Sequence, residues 1–437
     1  MGQSMRFGVL VCAGVVLSAC MGPGGTSGDT VTRNAPPAPA PATALGAAQA
    51  DAEGSVILET LMARESALPD GGAYDAVATA VLAANSRAAE AELRSARLRA
   101  QAAAKNWLPT LGPQISLTSL SDVIASLVVD QVLFDNGRKK AERAFARADV
   151  EVAAVTLAQD TNDRVFTALS LYLDAQKARE RAALAARSEQ DMAHFEWIMD
   201  QRVRGGVSNM SDLNVIRQKL AEIRADRQAQ SEAAAAALAE LNVMAIRPLD
   251  DVSGLSPLSP AMTGADPLPV LLAEAEKRRA VEAARIERAG FLPGASVGAV
   301  LGDNSSDPAL SVASDKPLGF GTGASLKAVE AGKEAAGRKV SQAREDSGRR
   351  LRRLESEAGA QARQRDEAGK LAVAAKRNLD LFQSQYDAGQ RQVMDVVGVY
   401  ETYARQHEAE LDLKYGAARA QLEIARELGL LADGGQI

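Results

Sequence analysis

Apolar residues recur every three or four positions over long stretches of the chain. Leu213, Ile216, Leu220 and Ile223 form one such series, continued by Leu238 and Leu241. Val396, Tyr400, Tyr403, His407, Leu411 and Tyr415 form another. This spacing lays one stripe along a helix. Proline is absent from Gln114 to Arg247 and again from Leu318 to Ile437, stretches of 134 and 120 residues rich in Ala, Glu, Arg, Gln and Leu. Such composition favours helix, and nothing in these stretches breaks one. As a single helix, the segment from Gly137 to about Arg202 spans about 100 Å at 1.5 Å per residue. Helices of that length belong to coiled coils rather than to compact globules.

The period changes to two in short inserts. Gln114-Ile-Ser-Leu-Thr118 alternates polar and apolar residues, Ser119 to Asp122 supplies a turn, and Val123 to Phe134 is an apolar, strand-forming run. Later, Ala295, Val297, Ala299 and Leu301 alternate with their neighbours. A loop is expected from Asp303 to Pro317, and a second strand over Leu318, Phe320, Thr322, Ala324 and Leu326. Strands of about ten residues suit a tilted membrane-spanning β-strand. Trp107 and Phe291 stand where helix meets strand, the place of an interfacial anchor. Soluble hairpins capping the helices would carry the same pattern.

The two halves repeat. Trp107-Leu108-Pro109 and Phe291-Leu292-Pro293 each end an Ala- and Arg-rich helix, 184 residues apart. Gly206 to Asp212 matches Gly389 to Asp395 at an offset of 183. Landmarks that keep nearly one offset argue for an internal duplication. Each unit reads as helix, β insert, very long helix, Gly-containing turn and returning helix. The fold class is therefore mainly α with a small β part: a long coiled-coil barrel joined to a transmembrane β-barrel. Four strands close no barrel, and open edges are not tolerated in hydrocarbon, so several chains must share one. Three chains give twelve strands, although the pattern itself does not fix that number.

Composition narrows the functions. Aromatic residues make up only 4% of the chain against 46% hydrophobic residues, which suits helices packed through small side chains. Two His and two Cys leave little for a metal site or a His-dependent triad, and His194 and His407 lack partners at ligand spacing. A net charge of −6 without a basic domain disfavours nucleic acid. Gly319-Phe-Gly321-Thr-Gly323 lacks the Lys-Ser/Thr of a phosphate loop. Arg349 to Arg353, interspersed with acids, reads as a solvated coiled-coil face. No nucleophile–base pair and no cofactor motif is present, so an enzyme is not expected.

The N-terminus carries Arg6, an apolar run from Phe7 to Leu17, and then Leu17-Ser18-Ala19-Cys20. This is the layout of a secretory signal. Its ending resembles the bacterial lipobox, which implies an acylated Cys20, and Met21 in place of Asp favours the outer membrane. The expected organisation is a signal peptide over 1–19, and acylated Cys and tether over 20–50. The first repeat runs over 51–247, with hairpin 111–134 and turn 204–211, and a linker over 248–267. The second repeat runs over 268–431, with hairpin 294–327 and turn 387–394, and a tail over 432–437.

The duplicated unit, the Leu-Pro entry to each hairpin, Leu133-Phe-Asp-Asn-Gly137-Arg138 and the paired Gly…Asp turns together resemble the TolC family of outer-membrane efflux proteins, in its lipoprotein branch. The resemblance runs from about Tyr74 to Leu431. It implies a homotrimer, a twelve-stranded barrel held by outer-membrane lipid, and a helical tunnel crossing the periplasm. It also implies a periplasmic adaptor (membrane fusion) protein and an inner-membrane transporter as partners. Tyr386 and Arg391 fall on residues that hold the family's tunnel closed, and Asp395 on the first of two carboxylates ringing the constriction. Gly398 stands where the second would be. Ser211 and Asp212 match acceptors for the gate arginine, and Gly205, Gly206, Val207, Gly389 and Gln390 form the adaptor-docking tip turns.

Asp212 and Asp395 also stand at helix starts, where Asp serves as an ordinary first-turn residue. The function expected is a passive exit duct of a tripartite efflux or type I secretion system, gated at its tip. The alternative is a periplasmic adaptor or a structural coiled-coil envelope lipoprotein without a pore.

Overall fold

The computed structural model describes residues 43–51, 54–84, 88–119, 122–258, 264–301 and 308–437. The expected signal segment and Cys20 lie outside them. Four short N-terminal helices are α1 (Ala44–Asp51), α2 (Val56–Met62), α3 (Ala73–Leu82) and α4 (Ala88–Ala104). Strands β1 (Thr110–Ser119) and β2 (Asp122–Phe134) follow, then α5 (Arg138–Arg204) and α6 (Met210–Met244). The second half comprises α7 (Leu268–Ala289), β3 (Gly294–Leu301), β4 (Ala309–Ala313), α8 (Thr322–Asp387) and α9 (Val393–Leu428). A final turn of 3-10 helix spans Gly434–Gln436.

The duplication governs the element boundaries. The first residues of β1 and β3, Thr110 and Gly294, lie 184 apart, as do Arg138 and Thr322, which begin α5 and α8. The last residues of the long helices, Arg204 and Asp387, lie 183 apart, as do Met210 and Val393, which begin α6 and α9. The offset changes inside the long helices, because α5 has 67 residues and α8 has 66.

Three expectations are corrected. The strand expected over Leu318–Leu326 lies instead at Ala309–Ala313, within the expected loop, and α8 has begun by Thr322. Pro317 has no N–H for a ladder, and Gly319 and Gly321 weaken a strand. The Gly319 N–H bonds Thr322 Oγ1 at 2.9 Å and the Thr322 N–H bonds the Gly319 carbonyl at 3.0 Å, closing the first turn of the helix instead. The expected tether ends earlier than residue 50, because Leu45 and Ala48 of α1 are fully buried and the Leu45 N–H bonds the carbonyl of Ile437. Phe291 is buried beneath the Lys316 ammonium, 4.7 Å from its ring centre, whereas Trp107 is 60% exposed. Of these two aromatics, Trp107 alone is free of the interior.

The strands form one antiparallel sheet in the order β1-β2-β3-β4. Among the helices, α5 packs on both α6 and α9, and α9 packs on α8; nearer the sheet, α7 bridges α5 and α8 while α4 lies on α5. Among the described residues the helical layer and the sheet therefore end on the same two sides, one carrying β1, α4 and α6 and the other carrying β4 and α8.

One apolar cluster joins α3, α5, α6, α8 and α9 around Tyr172 and Leu422. A second gathers α1, α2, α4, α5, α7 and the C-terminal residues. The Arg64 guanidinium closes this junction by donating to the carbonyls of Leu428, at the end of α9, and Asp266, and burial lowers its pKa to about 10. The third cluster lies at the far end of the long helices and supports the two turns described next.

Candidate functional site at two matched turns and a two-faced sheet

The α5–α6 and α8–α9 turns are built alike. After α5, the Gly206 N–H bonds the Val203 carbonyl at 3.0 Å and the Val207 N–H bonds that of Arg202 at 2.9 Å. After α8, the Gly389 N–H bonds Tyr386 and the Gln390 N–H bonds Gln385, both at 2.8 Å. Each pair is a Schellman closure, which needs a left-handed residue between helix and loop. Gly206 and Gly389 supply it, with φ of 71° and 72°. Gly205 has an ordinary φ of −79°, and its counterpart is Ala388. Val207 projects beyond the first turn, 71% exposed.

Both returning helices start on side-chain caps. Asn209 Oδ1 accepts from the Ser211 N–H at 3.0 Å, and Asp212 lies in that first turn. In the second turn Gln392 and Asp395 form a capping box, the Gln392 N–H donating to Asp395 Oδ2 at 3.2 Å. Asp395 thus serves as a helix cap in the single chain.

Beneath the turns, Met192, Phe195 and Met199 of α5 meet Leu213 and Ile216 of α6, Leu379 of α8, and Val393, Val396 and Tyr400 of α9. Tyr386 joins this layer edge-on to Phe195, with ring centres 6.4 Å apart. Arg391 folds back on its own hairpin: its Nε donates to Gln385 Oε1 at 3.0 Å and its guanidinium lies 4.4 Å from the Phe382 ring centre. Among the described residues it forms no ion pair, and no hydrogen bond joins it to Ser211 or Asp212. The structure therefore brings Tyr386 into the core of the tip but does not join Arg391 to the acceptors expected for it within one chain.

The hairpins are stitched together by charge. Lys219 of α6 reaches Glu222 at 2.9 Å and Glu401 of α9 at 3.0 Å, and these bonds raise its pKa. Farther from the tip, Arg181 grips both oxygens of Asp412 at 2.6 and 2.7 Å, Lys414 and the Tyr415 hydroxyl bind Glu180, and Arg419 binds Asp174. Tyr400, pushed up to about 12 mainly by burial, hydrogen-bonds Ser188 across the same seam. Apart from Lys219–Glu222, three residues apart on one helix, none of these partners is visible in periodicity, because each pair spans more than 180 residues.

The sheet has two unlike faces. Directly paired residues share a face, so register places Leu111, Pro113, Leu127, Val129, Val297, Ala299, Leu310 and Val312 on one side. Leu111, Leu310 and Val312 are each about two-thirds exposed. Gln131, the polar member of this face, spends its amide on the carbonyls of Trp107 and Val132. The opposite face carries Thr110, Gly112, Asp130, Ser296, Gly298 and Ser311, with Val128, Val132 and Val300 between them. The Ser296 and Ser311 hydroxyls meet there at 2.8 Å. Asp130 and this polar face were not singled out from sequence, although one carboxylate inside an apolar run is a visible signal.

No family model matches the chain, and no curated protein sequence does. Solved structures do. The outer-membrane channel OprN is 18% identical with a TM-score of 0.69, over 86% of this chain and 94% of that one. The MtrE outer-membrane channel of Neisseria gonorrhoeae is 16% identical with a TM-score of 0.70, over 85% and 93%. The CmeC outer-membrane channel of Campylobacter jejuni is 13% identical with a TM-score of 0.67, over 83% and 86%. The chain therefore has the fold of these outer-membrane channels: long helices with a four-stranded antiparallel sheet.

Proposed function

We propose that the chain is one subunit of an outer-membrane exit duct and that three copies close it. The observation that carries this reading is the coincidence of edges. The sheet and the helical layer end on the same two sides, so one rotation pairs β1 with β4 of a neighbour and sets α4 and α6 against its α8. A heterologous contact of that kind generates a ring. The sheet's apolar face, with Trp107 at its margin, then meets lipid, and its polar face lines a water-filled lumen. The channels that share this fold support the same reading.

In this reading the paired turns form the periplasmic end. They offer exposed Val207 and Gln390 to a periplasmic adaptor, and an inner-membrane transporter supplies energy for efflux or type I secretion. Tyr386, Arg391, Asp395, Ser211 and Asp212 make the gate, Arg391 leaving Phe382 and Gln385 for the acceptors of an adjoining hairpin. A half-exposed arginine contact of this kind is worth about 1 kcal/mol or less, which a docking partner can overcome. Cys20, acylated after removal of residues 1–19, anchors the N-terminus to the membrane. The molar mass of the detergent-extracted protein, measured by native mass spectrometry, tests the assembly. Three chains are expected, and a monomer would refute the shared barrel.

A further inference from the structure

Apart from Asp122 at the first position of β2, Asp130 is the one charged residue among the described strand positions. It lies on the polar face, level with Thr110, Gly298 and Ala309 across all four strands. Its neighbours on that level are small. A Cβ placed on Gly298 would stand 3.7 Å from Asp130 Oδ2, so the carboxylate leans over a position without a side chain.

The charged residues that line one hollow with it, Asp135, Arg138, Lys139 and Asp315, each have other partners. Asp135 accepts from the N–H groups of Gly137 and Lys139, Arg138 pairs with Glu142 and Asp315, and Lys139 pairs with Glu142. Among the described residues Asp130 forms no ion pair. An uncompensated carboxylate facing lipid is unfavourable, whereas one facing an aqueous lumen keeps its hydration.

We infer that Asp130 is a specificity-determining residue of the pore, one carboxylate per copy forming a ring at the helical end of the barrel that favours cations over anions. This rests on the duct reading above. Copies related by rotation set their Asp130 side chains at one height, and low-dielectric walls focus the combined field into the lumen. The ring lies in the barrel, remote in sequence and structure from the turn that carries Asp395, so the two act as separate filters in series.

The test is the reversal potential of the full-length oligomer in planar bilayers under a salt gradient, beside Asp130→Asn, Asp130→Lys and Asp130→Cys. Asp130→Asn is expected to bring the reversal potential toward zero and Asp130→Lys to carry it further the same way. Both shifts should grow as salt is lowered, since screening weakens. Treating Asp130→Cys with a membrane-impermeant anionic thiol reagent should restore the wild-type value, and a cationic reagent should reproduce Asp130→Lys. Unitary steps whose reversal potential none of these changes moves would overturn the assignment while leaving the duct intact. Absence of unitary steps from the oligomer, both as the parent and as Arg391→Ser, would overturn the duct reading and the assignment with it.

Discussion

Gly206 and Gly389 lie 183 positions apart and hold the same left-handed backbone, each making the pivot of a Schellman closure. A Cβ at either position meets no atom within 4 Å, so the demand for glycine is conformational and not steric. Gly206→Ala and Gly389→Ala are each expected to destabilise their turn by about 1 to 2 kcal/mol. Hydrogen exchange of the turn amides should then quicken by about five- to thirty-fold. Gly205→Ala, at an ordinary φ, should leave exchange unchanged.

Arg391 is held by one hydrogen bond to Gln385 and by the face of Phe382. A cation–π contact at an exposed site is worth about 0.5 to 1 kcal/mol. Arg391→Ser removes both contacts together with the charge, and is expected to enlarge unitary conductance. Arg391→Lys keeps the charge and loses the planar fork, so it should fall between. Conductance that neither substitution changes would move the gate away from Arg391.

The helices were legible because absent proline and a persistent stripe both survive without tertiary information. The offset of 184 carries the start of α8 as well, since Gly137 caps α5 and Gly321, at that same offset, caps α8, but the expected strand over Leu318–Leu326 overrode it. Alternation over Leu318–Leu326 imitated a strand only because glycine stands at the alternate positions. Arg391 was legible as a candidate, but its partners were not, since Phe382 and Gln385 reach it only after the Gly389 turn reverses the chain. The capping role of Asp395 follows from its spacing to Gln392.

Gly398 interrupts the exposed face of α9, and a Cβ there meets no atom within 4 Å. Gly398→Ala should stabilise the helix by up to about 1 kcal/mol. Gly398→Asp should fold as well as the parent and strengthen cation preference in reversal-potential measurements, by adding a second carboxylate one turn from Asp395. A loss of assembly in Gly398→Asp would show that this face is closed by a neighbouring copy.

Glu408 of α9 has its carboxyl pushed above its ordinary 4.5, chiefly by burial. Asp226 of α6 and Asp412 push the same way, whereas Arg181 of α5 and His407 oppose them. The folded chain therefore holds this proton in a pH window above 4.5 in which the unfolded chain has released it. Its contribution makes stability fall as pH rises through that window, with the loss recovered below it. Glu408→Gln is expected to slow hydrogen exchange in the α5–α9 seam at pH 7, and the difference from the parent should vanish as pH falls toward 4.5.

The most direct test is single-channel recording from the purified oligomer in a planar bilayer. The shared-edge geometry predicts stable unitary steps, because a closed sheet with a polar inner face encloses water. A folded oligomer that gives no steps, either as the parent or as Arg391→Ser, would contradict the duct and leave the sheet a soluble cap on a coiled coil.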